Sequence, residues 1–139
     1  MRYLTFLFLS LLFLSCSNEP QQDLPTRIDH LISEDNYVKA LDLLNNADSS
    51  KTNADLELLK EKTHLNYGIY LEYRGPEEST MRDRMTSALE QYIAVLKINS
   101  KNEKARSEIQ QIMNIYSTMP DKSPGEDILT DLRDLGFDY

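Results

Sequence analysis

The 139-residue chain carries 23 acidic against 15 basic side chains, a formal net charge of −8, which argues against a nucleic-acid partner and against electrostatic attachment to anionic lipid. Its single cysteine, Cys16, excludes an internal disulfide, so the fold must stand on an apolar core alone. With 40% apolar residues, a chain of this length can bury such a core in one domain without a structural metal.

Met1 and Arg2 form a short positive head, and residues 3–14 are almost wholly apolar. That run is too short to cross about 30 Å of hydrocarbon as a helix, but it suits the apolar region of an export signal. It stops at Leu14-Ser15-Cys16, and the abruptly polar Ser17-Asn18-Glu19-Pro20-Gln21-Gln22-Asp23 follows. This pattern resembles the lipobox of bacterial lipoproteins, in which a small residue precedes a cysteine that becomes the lipid-bearing first residue. The resemblance implies a signal over residues 1–15, acylation of Cys16, and a tether over residues 16–24 leading to a domain over residues 25–139. Several acyl chains at roughly 0.8 kcal/mol per buried CH₂ would hold the protein at a membrane. Ser17, where some bacteria place an aspartate to retain lipoproteins at the inner membrane, points by the same resemblance to the periplasmic side of the outer membrane.

From residue 25 the chain reads as helices. Pro25 suits a first helical turn, and Ile28, Leu31 and Ile32 form the stripe of a helix that stops around Ser33-Glu34-Asp35-Asn36. Tyr37, Ala40, Leu41, Leu44 and Ala47 mark a second. After a turn at residues 48–51, Thr52 and Asp55 read as a capping box opening a third helix, striped by Leu56, Leu59, Thr63, Tyr67 and Tyr70 and ended by Gly75-Pro76. A charged connection leads to a fourth helix, from Thr80 or Met81 to Ile98, with Met81, Met85, Ala88, Leu89, Tyr92, Val95 and Leu96 on one face. Asn102 caps a fifth helix, carrying Ala105, Ile109, Ile112, Tyr116 and Met119 and ending at Met119-Pro120. Ser123-Pro124-Gly125-Glu126 predicts a serine-capped sixth, short helix through Ile128, Leu129, Leu132 and Leu135, closed by Gly136. No run of alternating β-branched residues competes, so the predicted class is all-α.

Two of these hairpins carry a recognisable pattern. His64-Leu65-Asn66-Tyr67-Gly68-Ile69-Tyr70-Leu71, followed by Ala88-x₃-Tyr92, is similar to the two halves of the tetratricopeptide repeat, and Ala40-x₃-Leu44 is similar to the second half. Gly68 stands where two helices must approach closely, and an insertion centred on residues 74–81 lengthens the connection between the halves. The resemblance implies a TPR-like array of antiparallel hairpins with the last helix as a cap; the alternative is an irregular helical bundle without a groove.

In this family the inner face of the first helices forms a peptide groove. With Gly68 as the register mark, the positions implied here are Lys62, Leu65, Ile69, Glu72 and Tyr73 on the third helix and Lys104, Ser107, Gln111 and Asn114 on the fifth. The lysine and asparagine clamp for carboxylate-ended peptides is missing, because Leu65 and Ile69 occupy two of its positions. Read from the residues alone, the same side chains are ordinary core and solvated surface.

Signals for chemistry are weak. His30 and His64 lack the spacing of a transition-metal site, the four glycines form no phosphate loop, and no serine sits in a nucleophile elbow. The adjacent pairs Glu77-Glu78 and Glu126-Asp127 point apart on a helix and fit no acid–base couple. Neither a catalytic residue nor a metal or cofactor is assigned. Lys97, Lys101, Lys104 and Arg106 are broken by Glu103 and Glu108 and read as solvated charge. The expectation is a lipid-anchored scaffold that binds an envelope protein. The alternative is a small envelope enzyme or ligand carrier with an interhelical pocket lined by Tyr67, Tyr70 and Tyr92.

Overall fold

The computed structural model describes residues 23–47, 53–119 and 123–139. The expected signal and Cys16, most of the tether, the turn at residues 48–51, the Thr52 cap and Pro120 lie outside these residues. Among them are six helices and no strand: α1 (Leu24–Ser33), α2 (Tyr37–Asn45), α3 (Asn53–Tyr73), α4 (Met81–Ile98), α5 (Glu103–Ser117) and α6 (Glu126–Asp134). The protein is all-α.

The punctuation of the chain explains most boundaries. Asp23 caps α1 by accepting the Thr26 amide at 3.1 Å, so the helix starts at Leu24, one residue before the predicted Pro25. α1 ends in a Schellman turn: Asp35 adopts φ 57°, and the Asn36 amide returns to the Leu31 carbonyl at 2.8 Å. Gly75, also at φ 57°, ends α3 by donating to the Tyr70 carbonyl at 2.7 Å. Thr80 caps α4 through the Asp83 amide, and Asn102 caps α5 through the Ala105 amide at 2.9 Å.

α6 departs from expectation. Its N-cap is Gly125 at φ 113°, and the Ser123 hydroxyl is spent on the Gly125 amide, so the helix begins three residues after the serine expected to cap it. Its other end is as predicted: Gly136 at φ 82° completes a Schellman turn in which the Phe137 amide meets the Leu132 carbonyl at 3.0 Å. Met81 also departs. It is the first residue of α4 and half exposed, so the buried stripe starts one turn later at Met85.

Cross-helix contacts give the topology. Glu61 meets Asn99, Gly68 lies against Tyr92, and Arg84 reaches the Arg74 carbonyl, so α3 and α4 run antiparallel, with the most extensive packing in the molecule. α1, α3 and α5 instead run parallel, side by side. Lys62 pairs with Asp29 and Arg74 with Asp35 between α1 and α3; Asn102 pairs with Glu61 and Gln111 with Glu72 between α3 and α5. α6 packs on α4, where Lys97 holds Asp131 at 2.9 Å.

Apolar burial falls into two clusters. The larger joins Leu71, the α4 stripe, Ala105, Ile109, Ile112, Met113 and Tyr116 of α5, and Ile128, Leu132 and Phe137 at the C-terminal end. The smaller holds Ile28, Ala40, Leu44 and Leu56 of α1, α2 and the start of α3. α3 contributes to both, and the buried Tyr37 stacks on Tyr67 with ring centroids 5.0 Å apart where they meet.

Asn102 serves two elements at once, since its Oδ1 caps α5 while its Nδ2 donates to Glu61 of α3 at 2.7 Å. Asn102→Asp, which keeps the cap but sets a second carboxylate against Glu61, is expected to cost more than the roughly 1 kcal/mol of a simple cap deletion. Comparison of Asn102→Asp and Asn102→Ala in urea titrations checks this; equal loss would mean that the Glu61 contact contributes nothing.

Candidate functional site: the polar seam between α3 and α5

The two parallel helices α3 and α5 barely touch through their backbones, in contrast to α3 with α4 or α4 with α5. Side chains span the gap instead. On α3, Glu72 and Tyr73 are consecutive near the C-terminal end; on α5, Lys104, Glu108 and Gln111 recur at helical spacing along one side.

Their hydrogen bonds form one continuous network. Tyr92 of α4, itself fully buried, donates through its hydroxyl to Glu72 Oε2 at 2.7 Å. Gln111 Nε2 donates both to Glu72 Oε1 at 2.9 Å and to the Tyr73 hydroxyl oxygen at 3.0 Å, which uses both of its hydrogens. The Tyr73 hydroxyl in turn donates to Glu108 Oε2 at 3.0 Å, and Lys104 holds Glu108 Oε1 from one helical turn away. Each donor group in the seam reaches one of two carboxylates, and Gln111 reaches the Tyr73 hydroxyl as well.

Electrostatics follow from burial. Glu108 is only 3% exposed, which such a group tolerates because Tyr73 and Lys104 satisfy it. Burial raises Glu72 above the ordinary carboxylate range; the Tyr92 hydrogen bond pulls it back, and the facing charge of Glu108 pushes it up again. Burial likewise raises the Tyr92 hydroxyl, reinforced by its bond to Glu72. Lys104 is raised, chiefly by its hydrogen bond to Glu108.

Beside the seam, Ser107, Gln110, Gln111, Asn114, Ile115 and Thr118 line an open depression of ≈ 550 Å³ along α5. Its lining is amide and hydroxyl, with Ile115 as the apolar element. It can offer hydrogen bonds to an incoming backbone but has no concentrated charge of its own.

The candidates named from sequence therefore separate into three groups. Glu72, Tyr73, Lys104 and Gln111 come together in the seam. Ser107 and Asn114 line the depression with Gln111. Lys62 stands apart, paired with Asp29 of α1 at 2.7 Å, while Leu65 and Ile69 are half-buried and pack against the larger core. The last two thus keep part of their apolar surface exposed and turn the rest to that core.

Glu108 was missed, and the signal was present: it falls on the stripe of Ala105, Ile109 and Ile112, so its position is a core position despite its charge. The aromatic side chains of the alternative pocket also have neighbours. Tyr67 stacks on Tyr37 of α2, Tyr70 lies tilted against the same ring, Arg74 lies over Tyr70 at 5.1 Å, and the Tyr92 ring fills the space above Gly68.

No protein family, curated protein or solved structure matches this chain.

Proposed function

We propose that this protein is a lipid-anchored, TPR-like helical scaffold that binds another protein of the bacterial envelope. The observation that carries the reading is the parallel row of α1, α3 and α5, the first two each followed by a helix packed against it, which sets the first helices of successive units on a common side. Gly68 under the Tyr92 ring and the fully buried Ala40 and Ala88 support the repeat-like register, because small residues stand where the hairpin helices come together. A row of this kind suits recognition of a partner segment, with the depression along α5 and the exposed ring of Tyr73 as the accessible part. No cofactor is required by this reading.

The membrane contact in this reading is lipid on Cys16, at the periplasmic side of the outer membrane. It rests on the lipobox-like residues 13–16 and on Ser17. No described helix is long and apolar enough to cross a membrane.

Crosslinking in intact cells, followed by mass spectrometry of captured proteins, tests the proposal. Ser107→Arg with Asn114→Arg fills the depression at two exposed positions and is expected to reduce capture of a specific envelope protein at least about tenfold, the equivalent of 1.4 kcal/mol, with an unchanged melting temperature. Cys16→Ser is expected to abolish fatty-acid labelling and release the protein from membranes. Undiminished capture by the folded double variant would overturn the binding face, and an unlabelled wild-type Cys16 would overturn the anchor.

A further inference from the structure

α5 stands at the end of the parallel row of α1, α3 and α5, and no described helix continues that row. Its outer side differs from the other helices. Residues 109–120 are the longest stretch after residue 24 without Asp, Glu, Lys or Arg, in a chain where those four make up 27% of the residues. Every exposed position on that stretch of α5 and its cap is an amide or a hydroxyl: Gln110, Gln111, Asn114, Ser117 and Thr118. Open helix faces ordinarily carry charge, whereas the centres of protein interfaces are depleted of it.

We infer that this stripe is the contact between two copies of the chain, with α5 of one packed antiparallel on α5 of the other about a two-fold axis between Gln111 and Asn114. The residues lining the depression of ≈ 550 Å³ along α5 have a spacing that maps onto itself when the helix is turned end for end. Any stripe of this spacing does so, but here the chemistry maps as well. Ser107 falls opposite Thr118 of the second copy, Gln111 opposite Asn114, and Gln110 opposite Ile115. Hydroxyl meets hydroxyl, amide meets amide, and the methylene stem of a glutamine meets the one apolar side chain.

The central pair has its donors and acceptors already sorted. Gln111 uses both Nε2 hydrogens on Glu72 and the Tyr73 hydroxyl, which fixes its amide and leaves Oε1 as a free acceptor. The Asn114 side chain has no hydrogen-bond partner among the described residues. Asn114 of the second copy can therefore donate to Gln111 Oε1, and the two-fold axis makes that bond twice. Because the glutamine is held beforehand, pairing it costs little side-chain entropy.

Charge selects the occupant and its direction. Two chains of net charge −8 repel across most of their surfaces, and an uncharged strip is where they can meet without that cost. A parallel pairing would set Glu103 and Lys104, at the start of α5, beside their own copies; antiparallel pairing carries them past the Thr118 end of the other stripe. From Ser107 to Thr118 the contact runs roughly 16 Å along a single helix, smaller than a standard interface, so the dimer is weak, with a Kd of about 100 μM. The depression is also the face proposed above for another protein, so copy and partner exclude each other there. The dimer does not rest on that reading or on the anchor, and it is tested with no partner present.

Sedimentation equilibrium of the full chain in density-matched detergent, from about 10 to 500 μM, is expected to show reversible exchange between monomer and dimer. Asn114→Asp sets a carboxylate against Gln111 Oε1 on both sides of the axis and is expected to weaken association at least about tenfold, whereas Asn45→Asp, the same change at an exposed position of α2, leaves it as it was. Mixed Ser107→Cys and Thr118→Cys chains are expected to form a disulfide with each other faster than either forms with itself, the wild type serving as the control for Cys16. A chain that stays monomeric throughout this range, or equal weakening by the two Asp variants, would overturn the dimer. Preferential pairing of Ser107→Cys with itself would overturn the antiparallel contact.

Discussion

Gly68→Ala is expected to destabilise this protein by about 2 kcal/mol, although alanine is the better helix former by about 1 kcal/mol. A methyl group at position 68 would come within 2.5 Å of the Tyr92 ring. Two facts prevent the ring from moving aside: Tyr92 is fully buried, and its hydroxyl is fixed by Glu72 at 2.7 Å. The helices must then separate along the most extensive contact in the fold, so the packing loss outweighs the gain in helix propensity. The measurement is a double-mutant cycle with Tyr92→Leu. If the cost comes from this one contact, removing the ring should recover more than about 1 kcal/mol of the Gly68→Ala loss; strictly additive effects would show that the close approach is not what position 68 contributes.

Leu132→Ala is expected to cost about 3 kcal/mol, the usual loss for a fully buried leucine that leaves a cavity. α6 has nine residues, too few to persist as a helix by itself, so it exists through what it covers. Ile128, Leu132 and Phe137 enter the larger core, Asp131 is held by Lys97, and the Arg106 guanidinium lies 5.0 Å from the centre of the Phe137 ring. Leu58→Ala, at a position 65% exposed, is the control and should change stability by less than about 0.5 kcal/mol. In urea, Leu132→Ala should lower the midpoint at constant slope; a reduced slope would mean that α6 has come away as a separate unit.

Much of this architecture was legible because the chain marks its helix ends with residues of narrow conformational use. Thr80, Asn102 and Gly75-Pro76 each act where local chemistry alone predicts, and so do Asp35-Asn36 and Gly136. Gly68 and Ala88 were legible for the complementary reason: their smallness has no use unless something packs on them.

The errors came from positions that local pattern does not determine. Ser123 could cap a helix or close a short turn onto Gly125, and the choice was made by how α6 settles on α4, which the four residues do not encode. The register places Leu65 and Ile69 on an inner face, which alone does not say how much of each is covered. α3, however, has α1, α2 and α4 around it, so it buries more of its circumference than a helix at the edge of a bundle. Glu108 was hidden by its neighbours in sequence: one turn after Lys104 it reads as a solvated pair, while its place between Ala105 and Ile112 puts it inside. The seam it completes needed three helices to be brought together before its residues had any relation to one another.

The division of the interior into two unequal clusters, joined along α3, has a mechanical consequence. A pull on the amino-terminal side of the domain is borne first by α1 and α2, whose own packing rests on a handful of aliphatic side chains and on the Tyr37 stack. That pair can peel from α3 while the block of α4, α5 and α6 stays whole. The first hairpin would thus yield as a fuse does, sparing the half of the molecule that carries the seam.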